Sequence, residues 1–277
     1  MATNPIQPCC LRAFPWDGTP TGSETTLAGV SNPVYMAYPP GFPAATASSS
    51  PSRAAILIVH DLFGWRYPNV RLLADAYAAE VGATVYVPDF FGGESLPAEL
   101  IEAGKWAELD LPSFTKRNSR AVRDPEIVAC ARAIRAVGHE RVGAAGFCYG
   151  GWAVMRLASG EFVEEEKGGE DSHGRKRGLV DCVTAGHPTW LTKEDIDKVE
   201  VPVQMLAPEI DNQYTQELKL HTFTELQKKG VPFDYQHFPG VEHGCFVRGN
   251  RDRKGEREAM ARAKDSAVAW FKQWLQD

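Results

Sequence analysis

A single cysteine, Cys148, lies in a frame of small residues that is typical of a nucleophile elbow. The segment RVGAAGFCYGGW places Gly146 before the cysteine and Gly150 and Gly151 after it. The apolar run 142–145 favours a buried strand and residues 153–157 favour a helix, which predicts a sharp strand-to-helix turn at Cys148. The same pattern also fits a glycine-rich turn around a structural cysteine, because cysteine is among the most buried residue types.

An acid and a histidine follow the cysteine, each just after a predicted strand. Asp211 comes after the strand that we expect to end at Ala207, and His243 comes after the next strand. Nucleophile, acid and histidine in this order match α/β-hydrolase triads. A histidine helps to form the thiolate, and an acid orients the imidazole. Taken singly, Asp211 fits a turn or helix cap and His243 a surface loop, but their shared placement favours a catalytic group.

The elements that must position these residues alternate between strand and helix. Buried strands are predicted at 54–60, 84–88, 179–186, 201–207 and 233–239, helices at 69–80, 98–108, 124–137, 193–199, 213–229 and up to Trp274, a hairpin at 26–38, and loops at 39–53, 160–178 and 240–250. This alternation predicts an α/β fold with a mainly parallel central sheet, helices on both faces and no separate lid domain. Ligands of such sheets bind at the carboxyl ends of the strands. We expect one domain over 1–277, with 1–53 forming a hairpin and loop packed on it.

Composition excludes several classes of partner. The chain has 277 residues, 43% of them hydrophobic, and a net charge of −6, with no basic stripe for nucleic acid. No apolar run approaches the ~18 residues of a membrane span, and the N-terminus lacks signal-peptide features, so a cytoplasmic location is expected. Six sparse cysteines without C-x-x-C spacing predict neither a disulfide framework nor a metal site. We therefore expect reduced thiols and no nucleic-acid or membrane partner.

Several motifs resemble the dienelactone hydrolase family of α/β hydrolases. They are HDLFGWRYPNVR at 60–71, VPDFFGG at 87–93, GFCYGG at 146–151, PEID at 208–211 and HGCFVRGN at 243–250, and CCLRAFPWDGTPTG near the N-terminus and GHP at 186–188 resemble fungal members in particular. The resemblance covers most of the chain. It implies an α/β-hydrolase fold, with Cys148 as nucleophile, His243 as base and Asp211 as orienting acid. It also implies an oxyanion hole formed by the backbone amides of Leu62 and Tyr149.

The same resemblance raises two questions about charged residues. Asp61 stands where bacterial members commonly carry a glutamate that pairs with the resting thiol, so Asp61 is expected either to pair with Cys148 or to cap its turn. The bacterial arginine that holds a substrate carboxylate has no counterpart at 91–93. Arg248, and more weakly Arg66, are the candidates for that role, and both also fit plain surface arginines.

Aromatic residues are predicted to wall an apolar pocket, although each also fits the core. They are Trp65, Phe91, Tyr149, Trp152, Trp190 and Phe246.

The resemblance implies a cofactor-independent cysteine hydrolase, carboxymethylenebutenolidase-like, that acts on a lactone or small ester as a monomer or homodimer. Two alternatives stay open. One is a tailoring hydrolase or thioesterase of secondary metabolism with a larger, polyketide-like substrate. The other is a receptor that keeps the pocket without turnover, because fold does not imply function.

Overall fold

The computed structural model describes residues 6, 8–11, 13–42, 51–162, 178–249 and 253–276, without the side chains of Pro8, Cys9, Ala98 and Glu102. Most of the predicted loops at 39–53 and 160–178 lies outside these residues. None of the helices found in the described ranges is long and apolar enough to cross a membrane.

Eight strands in the described ranges form one sheet, which includes the six strands predicted after the hairpin. They are β1 (Ser23–Thr26), β2 (Pro33–Ala37), β3 (Ala54–Val59), β4 (Thr84–Pro88), β5 (Arg141–Phe147), β6 (Cys182–Gly186), β7 (Val203–Ile210) and β8 (Phe233–Glu242). Their order across the sheet is β1-β2-β4-β3-β5-β6-β7-β8. Neighbours from β4 to β8 pair in parallel, whereas β1 and β2 pair antiparallel and join the sheet at β4. The predicted hairpin therefore extends the sheet itself.

Helices cover both faces of the sheet. They are α1 (Pro68–Val81), α2 (Ala98–Glu102), α3 (Leu111–Arg117), α4 (Arg120–Ala136), α5 (Gly150–Leu157), α6 (Lys193–Asp197), α7 (Gln216–Lys229) and α8 (Glu256–Leu275). Strand side chains alternate between the faces, so in β3 Leu57 joins one buried apolar cluster and Ile56 the other. The first cluster holds residues of α4 and α5, and the second holds residues of α1 and α8. This confirms the predicted α/β-hydrolase architecture.

Strand ends differ from the prediction where proline is present. β7 runs past Pro208 to Ile210, and β8 runs past Pro239 to Glu242, whereas the sequence predicts strand ends at Ala207 and Pro239. The pairing is irregular between Pro208 and Ile210, and β8 lies at the sheet edge, where proline is tolerated. Because of this extension, Asp211 and His243 directly follow neighbouring strands. The amide of His243 donates to the carbonyl of Ile210 at 3.0 Å.

Two further elements differ from the prediction. Pro33, a residue type that usually favours the turn of a hairpin, begins β2 and lies opposite Thr26. Helix α3 was not predicted, because its 7 residues are too few to show helical periodicity. Asp110 caps this helix by accepting from the amide of Ser113 at 3.2 Å.

Candidate active site

Cys148 occupies a strained turn between β5 and α5. Its φ angle is 52°, in the left-handed region that residues other than glycine rarely adopt. The glycines around Cys148 are required because a larger side chain would clash with neighbouring backbone atoms. A Cβ on Gly150 would lie 1.9 Å from the carbonyl oxygen of Val59, and one on Gly146 would lie 2.2 Å from the carbonyl oxygen of Gly150. The geometry is that of a nucleophile elbow, and such strain is usually kept at functional sites.

The loop after β6 holds this elbow from the side. The amide of Cys148 donates to the carbonyl of Gly186 and to Nδ1 of His187, both at 3.1 Å. The amide of Thr189 in turn donates to the carbonyl of Cys148 at 2.8 Å. Because Nδ1 of His187 accepts a hydrogen bond, its ring is neutral, and burial together with the charge of His243 holds its pKa well below the usual value. These contacts fix the backbone that presents the thiol.

Asp211 orients the ring of His243. Nδ1 of His243 lies 2.9 and 3.0 Å from the two carboxylate oxygens of Asp211, and both side chains are fully buried. Oδ1 of Asp211 also accepts from the amides of Gln213 at 2.8 Å and Tyr214 at 2.9 Å. The carboxylate is therefore fixed, and it directs Nε2 of His243 away from itself.

Nε2 of His243 faces the thiol across a hydroxyl. Oγ1 of Thr189 lies 3.4 Å from Nε2 of His243 and 3.4 Å from Sγ of Cys148. Cys10 is also close, and the donor atoms of Cys10, Cys148 and His243 all lie within 4.8 Å of one another. Within the described ranges, these residues form the one group with such convergent donor atoms. They are of types that bind metals, but we assign no metal to them.

The charges of the site depend on these partners. Burial alone would raise the pKa of the Cys148 thiol, but the hydrogen bond with Cys10 and the charge of His243 hold it well below its usual value. Burial would lower the pKa of His243, but the negative charges of Asp211 and Cys148 raise it to about 10. For Asp211, the charge of His243 outweighs burial and lowers the pKa. The arrangement favours a Cys148 thiolate beside a His243 imidazolium at neutral pH.

Arg248, expected at the substrate or on the surface, is instead buried beside Asp61, whereas Asp61 adopts one of its two expected roles, that of capping its turn. Nε of Arg248 lies 2.5 Å from Oδ2 of Asp61, and the arginine side chain is fully buried instead of open to a substrate. Its guanidinium also donates to the carbonyl of Cys10 and lies 4.9 Å above the ring of Phe63. Asp61 accepts from the amide of Phe63 at 2.8 Å, so it caps its turn and pairs with Arg248. A buried charge needs such a partner, which explains the difference.

Four of the aromatic residues expected to wall the pocket pack against one another. Tyr149 lies at the centre of a buried group, with ring centroids 5.0 Å from Phe91, 5.8 Å from Trp152 and 5.4 Å from Trp190. These rings belong to the same apolar cluster as Cys148. Phe246 lies in the other cluster, stacked on His187 at 5.2 Å.

Two predicted substrate contacts lie elsewhere. Trp65 packs in the cluster on the opposite face of the sheet, under the guanidinium of Arg71 at 4.9 Å. The side chain of Arg66 is 67% exposed and lies 3.9 Å from Glu24. Both residues follow a loop that starts at the site, but the chain has already turned away from it.

The two amides expected to form the oxyanion hole follow strands β3 and β5. Leu62 lies in the turn after β3, and Tyr149 lies at the N-terminus of α5. Within the part of the chain that the structure describes, neither amide has a hydrogen-bond acceptor. Both remain available to a developing oxyanion.

A groove of about 670 Å³ lies beside the residues that flank Cys148 and Asp211. The start of α4, the end of α5 and α6 line it, together with Trp190 and Gln213. Trp190 follows Thr189 in the chain, and Gln213 donates its amide to Asp211. The groove therefore reaches the residues that flank the site, while the thiol itself is fully buried.

Sequence reasoning missed Thr189, His187 and Cys10. Thr189 and His187 follow β6, so the rule that active residues follow parallel strands could have identified them. Cys10 is far from the other residues in sequence, and only its Cys-Cys motif singled it out.

Comparison with known proteins identifies the family of the chain. The model described as the dienelactone hydrolase family matches residues 42–275. The chain belongs to this family. It is 29% identical to hydrolase pyvD of Aspergillus violaceofuscus, over 99% of both chains. It is 28% identical to the carboxymethylenebutenolidase homolog of Mus musculus, over 92% of this chain and 95% of the mouse protein. The crystal structure of dienelactone hydrolase from Anabaena variabilis superposes with a TM-score of 0.61 at 15% identity, over 92% and 97% of the two chains.

Proposed function

We propose that this protein hydrolyses a lactone or small carboxylic ester through an acyl-thioester on Cys148. The observation that carries the proposal is the His243 ring, held by Asp211 on one side and directed at the thiol on the other. Membership of a hydrolase family supports the reaction class. The cysteine mechanism rests on the site geometry.

Each proposed step assigns one task to one group. The Cys148 thiolate attacks the carbonyl carbon, and the amides of Leu62 and Tyr149 stabilise the oxyanion. When the carbon–oxygen bond of the ester breaks, the His243 imidazolium gives its proton to the leaving alkoxide. Neutral His243 then takes a proton from water, and the resulting hydroxide attacks the thioester. The thiolate leaves, and the carboxylic acid is released.

We also propose that the substrate does not need a carboxylate. Arg248 is buried against Asp61, and the cations that line the groove are paired as well. Arg120 pairs with Asp195 at 2.6 Å, and Lys198 pairs with Glu194 at 2.9 Å. A substrate anion would have to compete with the carboxylates of these pairs. We therefore expect an acid and its methyl ester to have comparable kcat/KM.

A screen of lactones and aryl esters, each with and without a carboxylate, tests the proposal. Wild type and Cys148→Ala are compared, and rapid-quench intact mass measures acylation during turnover. The account expects many turnovers and a transient adduct on Cys148 in wild type alone. A single adduct that never turns over would instead indicate a receptor, and turnover by Cys148→Ala would remove the cysteine mechanism.

A further inference from the structure

A second thiol lies directly beside the proposed nucleophile. Cys10 is fully buried, and its Sγ lies within 4.8 Å of Sγ of Cys148. The two residues are far apart in the sequence, so their contact is created by the fold. The proposed hydrolysis uses only one thiol. The second thiol forms no bond to the substrate in that reaction, and it contributes only its hydrogen bond to Cys148.

The N-terminal segment is anchored so that Cys10 stays at this position. Buried Arg248 donates to the carbonyl of Cys10 and is fixed by Asp61. The amide of Phe14 donates to the carbonyl of Arg248 at 3.4 Å. Nδ2 of Asn69 donates to the carbonyl of Phe14 at 2.9 Å. A buried charge that holds a backbone carbonyl indicates that the placement of Cys10 is specified by the fold.

Two adjacent thiols, one of them next to a histidine–carboxylate pair, have the arrangement of a reactive and a resolving cysteine. The thiolate is the form that peroxides oxidise, and a neighbouring thiol converts the product into a disulfide. The other described cysteines lack such a setting. Burial raises the pKa of Cys130 to about 12 and that of Cys245 well above its usual value.

We propose that Cys10 is a resolving cysteine, which captures peroxide-oxidised Cys148 as a reversible Cys10–Cys148 disulfide and protects it from further oxidation. The Cys148 thiolate attacks one oxygen of hydrogen peroxide, the oxygen–oxygen bond breaks, and the hydroxide takes the proton of His243. Cys148 is then a sulfenic acid. Cys10 gives its proton to His243 and attacks the Cys148 sulfur, and the departing hydroxide takes that proton. Two thiols are oxidised, one peroxide is reduced, and two waters form.

This inference rests on the same thiol as the proposed function but not on turnover. A Cys10–Cys148 disulfide would fill the site and remove the nucleophile, so oxidation would stop hydrolysis until a thiol reductant restores both groups. Formation of the Cys10–Cys148 disulfide can be measured without any ester substrate. If no ester is hydrolysed but the disulfide forms, the proposed function fails and the inference stands.

The test is hydrogen peroxide treatment of the full chain in buffer with a chelator, followed by alkylation, intact mass and peptide mapping. Wild type is compared with Cys10→Ala and Cys10→Ser, and Cys9→Ala is the matched control. Wild type and Cys9→Ala are expected to lose two hydrogens and give a peptide that links Cys10 to Cys148. Both Cys10 variants are expected to gain oxygen on Cys148 and to progress to a sulfinic acid that dithiothreitol does not reverse.

Three results would overturn the inference. One is sulfinic acid formation on Cys148 at the same rate in wild type and both Cys10 variants. Another is a cross-link that is lost in Cys9→Ala and kept in the Cys10 variants. The third is a Cys148 that does not react with peroxide at all. Circular dichroism checks that each variant is folded. If Cys148 is oxidised in the same way in Cys10→Ala and Cys10→Ser, the effect comes from loss of the Cys10 thiol and not from a change in packing.

Discussion

The two ends of the parallel sheet each bury a histidine, and burial leaves one ring charged and the other neutral. At the carboxyl ends of the strands, His243 contacts Asp211 and has a pKa raised to about 10. At the amino ends, His139 bonds through Nδ1 to the carbonyl of Ser52 at 2.7 Å and through Nε2 to the hydroxyl of Tyr86 at 2.8 Å. Burial lowers the pKa of His139, and its neutral partners do not reverse this. Two buried imidazole rings thus differ in charge because His243 has a carboxylate partner and His139 has only neutral partners.

The polar groups around His139 and His243 differ in whether they contain reactive side chains. The polar group around His139 is closed, since Oγ of Ser52 bonds to Oγ1 of Thr84 at 2.8 Å and to the carbonyl of Ala54 at 2.7 Å. It joins the starts of β3 and β4 and the segment before β5, and it holds no carboxylate. The group around His243 has a carboxylate behind the ring and a thiol in front. We therefore assign stability to the first region and chemistry to the second.

Removal of the thiol is the largest expected change. Cys148→Ala should lower kcat/KM by at least about 10⁴-fold, because a nucleophile has no substitute in this mechanism. The matched control is Cys245→Ala, which removes a buried thiol two residues from His243. Steady-state hydrolysis of an aryl ester measures both. If Cys245→Ala is the inactive variant and Cys148→Ala is active, the nucleophile is misassigned.

Removal of the charge on Asp211 is expected to have the next largest effect. Asp211→Asn keeps the shape but removes the negative charge that raises the pKa of His243, so kcat should fall by about 10²- to 10⁴-fold. Glu209→Gln, two residues earlier at an exposed position, is the control and should stay near wild type. Initial rates at saturating ester give kcat. Near-normal turnover in Asp211→Asn together with loss in Glu209→Gln would transfer the role to Glu209.

The hydroxyl of Thr189 should matter less. Thr189→Val removes the group that lies 3.4 Å from both the thiol and the imidazole, and the loss of one net hydrogen bond corresponds to about tenfold in kcat/KM. Thr184→Val, a buried threonine bonded to Gln204 at 3.1 Å, controls for the change of side chain. As a positioning residue, Thr189 should also shift the pH profile of kcat/KM when it is replaced. If kcat/KM and its pH profile are unchanged in Thr189→Val, the side chain of Thr189 serves only to fill space in the core.

A substitution at the opposite end of the sheet should lower the free energy of unfolding and leave kcat/KM unchanged. His139→Phe leaves the carbonyl of Ser52 and the hydroxyl of Tyr86 without their partner, which should cost about 1–3 kcal/mol of unfolding free energy for each group left unsatisfied. Urea unfolding measures this loss, and kcat/KM at a temperature where the variant is folded should stay close to wild type. A large fall in kcat/KM without a loss of stability would contradict the assignment of the two regions.

The sequence was sufficient for residues that depend on local pattern. Cys148, Asp211 and His243 each follow a strand of the sheet, and parallel strands bring such positions together. It was insufficient for charged pairs that form between distant segments. The pairing of Arg248 with Asp61, and its bond to Cys10, depend on how the N-terminus packs, and no periodicity encodes whether an arginine is exposed. Trp65 was misplaced for a related reason, because the direction of a loop after its turn depends on packing.

The most direct test of the central claim is a pH titration of thiolate absorbance at ~240 nm, as wild type minus Cys148→Ala. Because the pKa of Cys148 is lowered and that of His243 is raised, we expect the thiolate–imidazolium pair to predominate between the two values. We predict thiolate absorbance at neutral pH that disappears only as acid protonates Cys148, with kcat/KM falling in parallel and falling again as pH rises through about 10. Absorbance that appears only near the ordinary cysteine pKa of about 8.5 would contradict the account.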